Sequence, residues 1–262
     1  LVLPGFARTA EGYAARRLDV GEGALAALRS ATVEAALGSI DPDLLLVDRH
    51  PFGIDGELRP ALRMLRERGR CATVLGLREV LDDPAVIAGE WRSLGGIDTV
   101  ADAYDAAWIY GDPDVYDPVR TGEVPLGLAP EIRHTGYLAR GRPADAGPSP
   151  EDPYVLTIVG GGSDGRQLAR AAAEADLPTG HRHLIVTGPQ MPAEHEAEIR
   201  AAAGPLTEVV RSAGHVPALI REARAVVTMG GYNALAEVLD TDTPALVVPR
   251  AARRAEQPRR AA

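Results

Sequence analysis

The chain has 262 residues and a formal net charge of −9, which leaves room for one large or, as preferred here, two modest domains and argues against a general affinity for nucleic acid or anionic membrane. All 28 basic residues are arginines, which excludes a Walker A lysine, a Schiff-base lysine and a pyridoxal phosphate enzyme. Cys71 is the single cysteine, so there is no intrachain disulfide or thiolate metal cluster. With no membrane-length apolar run and no signal-like start, the cytoplasm is the expected compartment, with peripheral membrane contact left open.

The opening LVLPGFARTAEG reads as the middle of a domain, so the chain is expected to be a fragment. Residues 24–37 carry apolar positions at helical spacing until Pro42 stops the pattern. Leu44-Leu45-Leu46-Val47 then reads as a buried strand ending on Asp48, and Arg49-His50-Pro51-Phe52-Gly53 as the loop after it. Leu58, Leu62 and Leu65 stripe a helix, Cys71 to Leu77 forms the next strand, and helical segments over 85–93 and 97–104 precede a strand at Ala106–Tyr110. Strands alternating with helices imply a mostly parallel, doubly wound sheet. Asp48, His50, Arg78, Glu79 and Asp112 all fall at strand ends, where such domains bind ligands. Each can equally be a turn cap. Asp48 and His50 are retained as weak catalytic candidates.

The proline-rich stretch from Gly141 to Pro153 reads as an interdomain linker, dividing the chain into 1–140, 141–153 and 154–262. A strand follows at Val155–Val159, then the glycine loop Gly160-Gly161-Gly162-Ser163-Asp164 and a helix over 167–175. That order suits phosphate or sugar binding at a helix start, and it suits a tight turn equally well. Leu184 to Val186 is a further strand, closing at Gly188, and a helix over 193–203, a short strand at Glu208–Val210 and His215-Val216-Pro217-Ala218-Leu219 come next. His181 and His183 are placed on one face of a strand, a metal-compatible spacing, but no third ligand is identifiable and no metal is expected. No G-x-S-x-G elbow and no short-period repeat occurs.

The stretch Ala225 to Gln257 reads as strand, glycine turn, helix, strand and polar loop: Ala225–Met229, Gly230-Gly231, an apolar face at Ala234, Leu235, Val238 and Leu239, a second buried strand at Ala245–Val248, then Pro249-Arg250. Glycines at the carboxyl end of a strand let a ligand approach the backbone, and Glu237, one to two turns into the helix, is placed to accept hydrogen bonds from ribose hydroxyls.

The runs GGYNALAEVL, TPALVVPR and RAEQ resemble the donor-binding region of MurG-type glycosyltransferases (glycosyltransferase family 28) and their uncharacterised bacterial relatives. The resemblance implies an α/β, GT-B-like fold of two Rossmann-like doubly wound domains facing a cleft. It implies no cofactor, a nucleotide-sugar donor, a UDP-sugar, held by the second domain, and inverting, metal-independent transfer to an unknown acceptor hydroxyl. It would place the diphosphate at Gly230 and Gly231, the ribose at Glu237, the sugar hydroxyls at Glu256 and Gln257, and the base beside His215 and Val216. The full set of donor-binding candidates adds Gly160, Gly161, Gly162, Ser163, Gly188, Met229, Tyr232, Asn233 and Arg250. DRHPFG, residues 48–53, would face the acceptor. The family's first strand, whose glycine-rich loop carries the proposed general base, is expected to precede Leu1, and the helices after the EQ segment to follow Ala262. A sugar-nucleotide epimerase or hydrolase, and a truncated chain that binds a nucleotide without turnover, are the alternatives.

Overall fold

The computed structural model describes residues 2–8, 13–15, 18–139, 150–250 and 255–262. They form two units, Leu1–Gly136 and Tyr137–Ala262. Residues 141–149 of the expected linker lie outside the described residues, and Pro150–Pro153 runs directly into the first strand of the second unit.

The first unit opens with an antiparallel hairpin of β1 (Phe6–Arg8) and β2 (Tyr13–Ala15), which the sequence reading left unassigned. Then follow α1 (Glu22–Ile40), β3 (Leu44–Asp48), a short 3-10 turn (Ile54–Gly56), α2 (Arg59–Arg68), β4 (Ala72–Arg78), α3 (Pro84–Ser93), α4 (Ile97–Ala101), β5 (Ala106–Tyr110) and β6 (Glu131–His134). Local chemistry sets several boundaries. Asp83 caps α3 by accepting from the Ala85 N–H at 2.9 Å with Pro84 in the first turn, and α2 stops at Gly69, whose φ of 66° is left-handed. The sheet is parallel in the order β3-β4-β5-β6, so each strand lies beside its predecessor and the winding runs in one direction. Leu75, Leu77, Ile87, Tyr104, Ile109 and Leu128 fill the core. Glu123 is fully buried there with its carboxylate satisfied: it accepts from the Leu81 N–H at 2.6 Å and from the Tyr116 hydroxyl.

Two expectations are corrected in this sheet. Leu44 and Leu46, expected to be buried, are 50% and 44% exposed: they share the face of β3 opposite to the buried Val47, on a strand that among the described residues pairs with β4 alone. β6 was not expected, since Glu131-Ile132-Arg133-His134 has no apolar run; it is held by its parallel register with β5.

The second unit runs β7 (Tyr154–Ile158), α5 (Arg166–Glu174), β8 (Arg182–Val186), α6 (Ala193–Ala202), β9 (Thr207–Val210), α7 (Val216–Glu222), β10 (Ala225–Thr228), α8 (Tyr232–Leu239), β11 (Ala245–Val247) and α9 (Glu256–Ala261). All its strands are parallel in the order β11-β10-β7-β8-β9. The first strand is central, the next two build outward on one side, and the last two on the other. The order reverses between β7 and β10, the topological switch point at which doubly wound sheets bind ligands. β11, expected to be buried, is the other sheet edge, and Leu246 is 60% exposed. The polar loop expected through Gln257 gives way to α9: Glu256 stands in its first turn and Pro258 falls where its missing N–H costs nothing.

His181 and His183 do not share a strand face. His181 precedes β8 and its ring contacts the Thr179 carbonyl at 3.1 Å, whereas His183 is buried in β8 with Nε2 2.8 Å from the Thr157 hydroxyl on β7. Burial pushes the His183 pKa below its ordinary 6.5 by disfavouring the charged ring. A folded-state pKa depressed below the unfolded one means the unfolded chain binds the extra proton first. The His183 contribution to stability is therefore complete above about pH 6.5 and is lost as pH falls from there toward the folded value. Thermal midpoints at pH 7.5, 6.5 and 5.5 are expected to decline with acidification, and His183→Asn is expected to flatten that decline. An equal slope in the variant would show that another group carries it.

No helix among the described residues is long and apolar enough to cross a membrane, and no group of three or more His, Cys, Asp or Glu among them could hold a metal ion.

Candidate functional site

At the carboxyl ends of the second sheet, two loops press backbone against backbone. After β7, Gly160 and Gly162 take φ of 64° and 96°; after β8, Gly188 takes 87°. A Cβ on Gly162 would lie 2.3 Å from the Thr187 carbonyl oxygen, and one on Gly188 would lie 2.4 Å from that of Gly160. The Gln190 N–H donates to Gly161 at 2.8 Å across the same contact. Gly162 and Gly188 are thus required by loop packing, which is the turn-chemistry reading, while Gly160, Gly161 and Ser163 remain exposed.

Across the switch point, Gly230 has φ of 78°, and a Cβ there would meet Val247 Cγ1 at 2.9 Å. Gly231 is the uncapped N-cap of α8, in extended backbone with open space where a Cβ would be. Its neighbours divide by burial: Met229, Tyr232 and Glu237 are buried and Asn233 is exposed. Glu237 therefore lies within the packed side of α8.

The segment after β11 supplies the charge. Arg250 Nη1 lies 2.6 Å from Asp164 Oδ2 on the β7–α5 loop, and its Nη2 contacts Glu256 Oε1. The buried Gln257 side chain accepts from the Arg250 N–H at 3.1 Å, so Gln257 acts as a backbone clamp. Among the described residues, Glu256 Oε2 and Arg250 Nε are buried with no hydrogen-bond partner, which leaves polar capacity in this cluster. Arg260 on α9 donates to the Gly230 carbonyl at 3.3 Å and sits 5.9 Å over the Tyr232 ring. Sequence reasoning missed Asp164 and Arg260. Asp164 had no distinguishing spacing, and Arg260 belongs to a helix that was not anticipated. His215 and Val216 start α7, with the His215 carbonyl accepting from Ala218 and Leu219 and the Val216 side chain packing against the core.

In the first unit Asp48 ends β3 and pairs with Arg78 at 2.7 Å, both side chains well exposed, a pair worth at most about 1 kcal/mol. Arg49, at φ 69°, reaches Glu90 at 2.9 Å; His50 is exposed, and Glu79 is buried. Asp112 accepts from the Asp114 N–H at 3.0 Å and serves its turn.

No protein-family model and no curated protein matches the chain in sequence. Solved structures do match. The glycosyltransferase SnogD from Streptomyces nogalater is 16% identical, with 90% of this chain covering 65% of that one at a TM-score of 0.55. Phytolacca americana UGT2, complexed with UDP-2fluoro-glucose and pterostilbene, is 16% identical over 91% of this chain and 64% of its own, also at 0.55. A putative UDP-N-acetylglucosamine 2-epimerase from Listeria monocytogenes is 10% identical over 86% and 61%, at 0.54. The chain spans less than two thirds of the length of each of these proteins. Its two parallel, helix-covered sheets have the α/β architecture of the GT-B glycosyltransferases.

Proposed function

We propose that the chain belongs to a MurG-type glycosyltransferase acting in the cytoplasm, which transfers a sugar from a uridine diphosphate donor to an acceptor hydroxyl, with inversion and without a metal ion. The observation that carries this reading is a pair of glycine turns, after β7 and after β10, that follow adjacent parallel strands at the switch point of the second sheet, with Arg250 paired to Asp164 on the first of them. A diphosphate needs backbone N–H groups and a cation there. In a chain without lysine that cation is an arginine, whose fork suits phosphate oxygens.

In this reading the acceptor oxygen attacks the anomeric carbon as the bond from that carbon to the diphosphate oxygen breaks. The hydroxyl proton passes to a base, for which Asp48 and His50 are the candidates within the chain. Charge on the departing diphosphate is taken up by the α8 amino terminus and by Arg250, which exchanges a carboxylate partner for phosphate. Glu237 binds the ribose and Glu256 the sugar.

Thermal unfolding with UDP, UDP-GlcNAc, TDP-sugars and GDP-sugars tests the donor site. At a hundred times its dissociation constant, UDP is expected to stabilise the chain by about 2.7 kcal/mol, and Glu237→Ala to remove that shift. A cooperatively unfolding chain that none of these ligands stabilises would sink the reading. The epimerase-like neighbour supports a second one, and product analysis separates them: epimerised or free sugar in the absence of any acceptor would favour epimerase or hydrolase chemistry. Binding without turnover in the presence of acceptors would leave a nucleotide-binding chain.

A further inference from the structure

Arg250 is divided between two carboxylates. Its Nη1 lies 2.6 Å from Asp164 Oδ2 and its Nη2 meets Glu256 Oε1, each contact made through a single nitrogen, while Nε is buried with no hydrogen-bond partner among the described residues. Other arginines of the chain pair differently. Arg29 with Glu57 and Arg166 with Glu198 each join Nε and a terminal nitrogen to both oxygens of one carboxylate, the strong planar arrangement. One-pronged contacts are weaker and exchange more readily.

The two carboxylates are not equivalent. Glu256 stands in the first turn of α9 with its side chain 15% exposed and Oε2 buried, so loss of Arg250 would strand its charge. Asp164 is 39% exposed on the loop after β7, and water can solvate it once the pair opens. In the contact itself two carboxylates already outnumber one guanidinium, so a phosphate that reaches Arg250 meets like charge unless one of them leaves.

We infer that Asp164 sets how tightly the diphosphate is held: phosphate displaces it from Arg250 on binding, and it takes Arg250 back as the nucleoside diphosphate leaves; the inference rests on the sugar-transfer reading above. Glu256 keeps the guanidinium aimed while Asp164 turns into solvent and returns. No covalent bond is made or broken, and one ionic partner replaces another. With a competing carboxylate held on the adjacent loop, the site grips its product less tightly than the arginine alone would and releases it sooner, which speeds turnover where product departure is the slow step.

Calorimetric titration of the full chain with UDP, with stopped-flow dissociation of the same complex, tests this. Asp164→Asn is expected to tighten UDP by about tenfold, mostly through slower dissociation, and to leave the binding of uridine, which has no phosphate, unchanged. Glu256→Gln is expected to bring no such gain. Arg250→Gln is expected to weaken UDP by about tenfold and, combined with Asp164→Asn, to abolish the gain, a cycle that separates pairing with Arg250 from a general relief of negative charge. Asp164→Ala serves if Asp164→Asn fails to fold. An equal gain for uridine, a gain that survives beside Arg250→Gln, or tightening by Glu256→Gln in place of Asp164→Asn would overturn the assignment. If UDP binds the parent and Asp164→Asn equally, only the role of Asp164 falls. If UDP binds neither, the donor reading falls and takes that role with it.

Discussion

Gly188→Ala is expected to destabilise the second unit by about 3 kcal/mol or more, while Gly231→Ala, a few strands away in the same site, is expected to change stability by less than about 1 kcal/mol. The first substitution adds a Cβ at φ 87° and 2.4 Å from the Gly160 carbonyl oxygen, so the chain must distort backbone on both loops at once. The second adds one to extended backbone with nothing within 4 Å. Urea unfolding of both variants reads the contrast. The pair also separates fold from ligand: Gly188→Ala is expected to lose UDP stabilisation because the loop carrying Gly160–Asp164 is displaced, and Gly231→Ala because a methyl enters the space a diphosphate would use. A Gly188→Ala variant as stable as the parent would refute the packing of these loops.

The other large effect is expected at Arg29. Its guanidinium pairs with a Glu57 side chain that is only 4% exposed, donates to the Pro4 carbonyl at 2.7 Å and lies 5.2 Å over the Phe6 ring. Hydrogen bonding to Glu57 raises the arginine pKa further, so Arg29 carries its charge throughout the working range. Arg29→Met strands a buried carboxylate and is expected to cost about 3–5 kcal/mol, whereas Arg29→Met combined with Glu57→Met is expected to recover most of that loss, since well-packed apolar replacements of buried ion pairs are often neutral or stabilising. Denaturant unfolding of the two singles and the double closes the cycle. A double variant as damaged as Arg29→Met alone would show that the contacts to Pro4 and Phe6, and not the stranded charge, dominate.

The strand and helix order of both units was legible because apolar β-branched runs bounded by glycine or proline, as at Ala106–Tyr110 and Tyr154–Ile158, have few alternatives to a parallel strand. What the sequence hid was set by partners distant in the chain. Leu46 and Leu246 look like core residues locally, and only the sheet order makes them edges. β6 exists through its ladder with β5, and α9 is a short helix without a side-chain cap that carries the buried Gln257. In the site, the glycine turns and Arg250 were visible as punctuation after strands. The Asp164–Arg250 pair was not, because it joins residues from opposite ends of the second unit.

The pairing of β7 with β10 also has a temporal side. β7 can pair with β8 soon after both are made, but Val155 must wait for Ala225, far along the chain, before its second edge is closed. Such long-range pairing carries the largest loop-closure cost in the unit and is the slow kind of contact to form. The seam between these strands is therefore expected to be among the last parts of the unit to assemble and among the first to open, and the two glycine turns straddle it. A nucleotide resting on both turns would act as a clasp on that seam, so ligand would slow unfolding more than it speeds folding, and opening of the site and opening of the sheet would be one event.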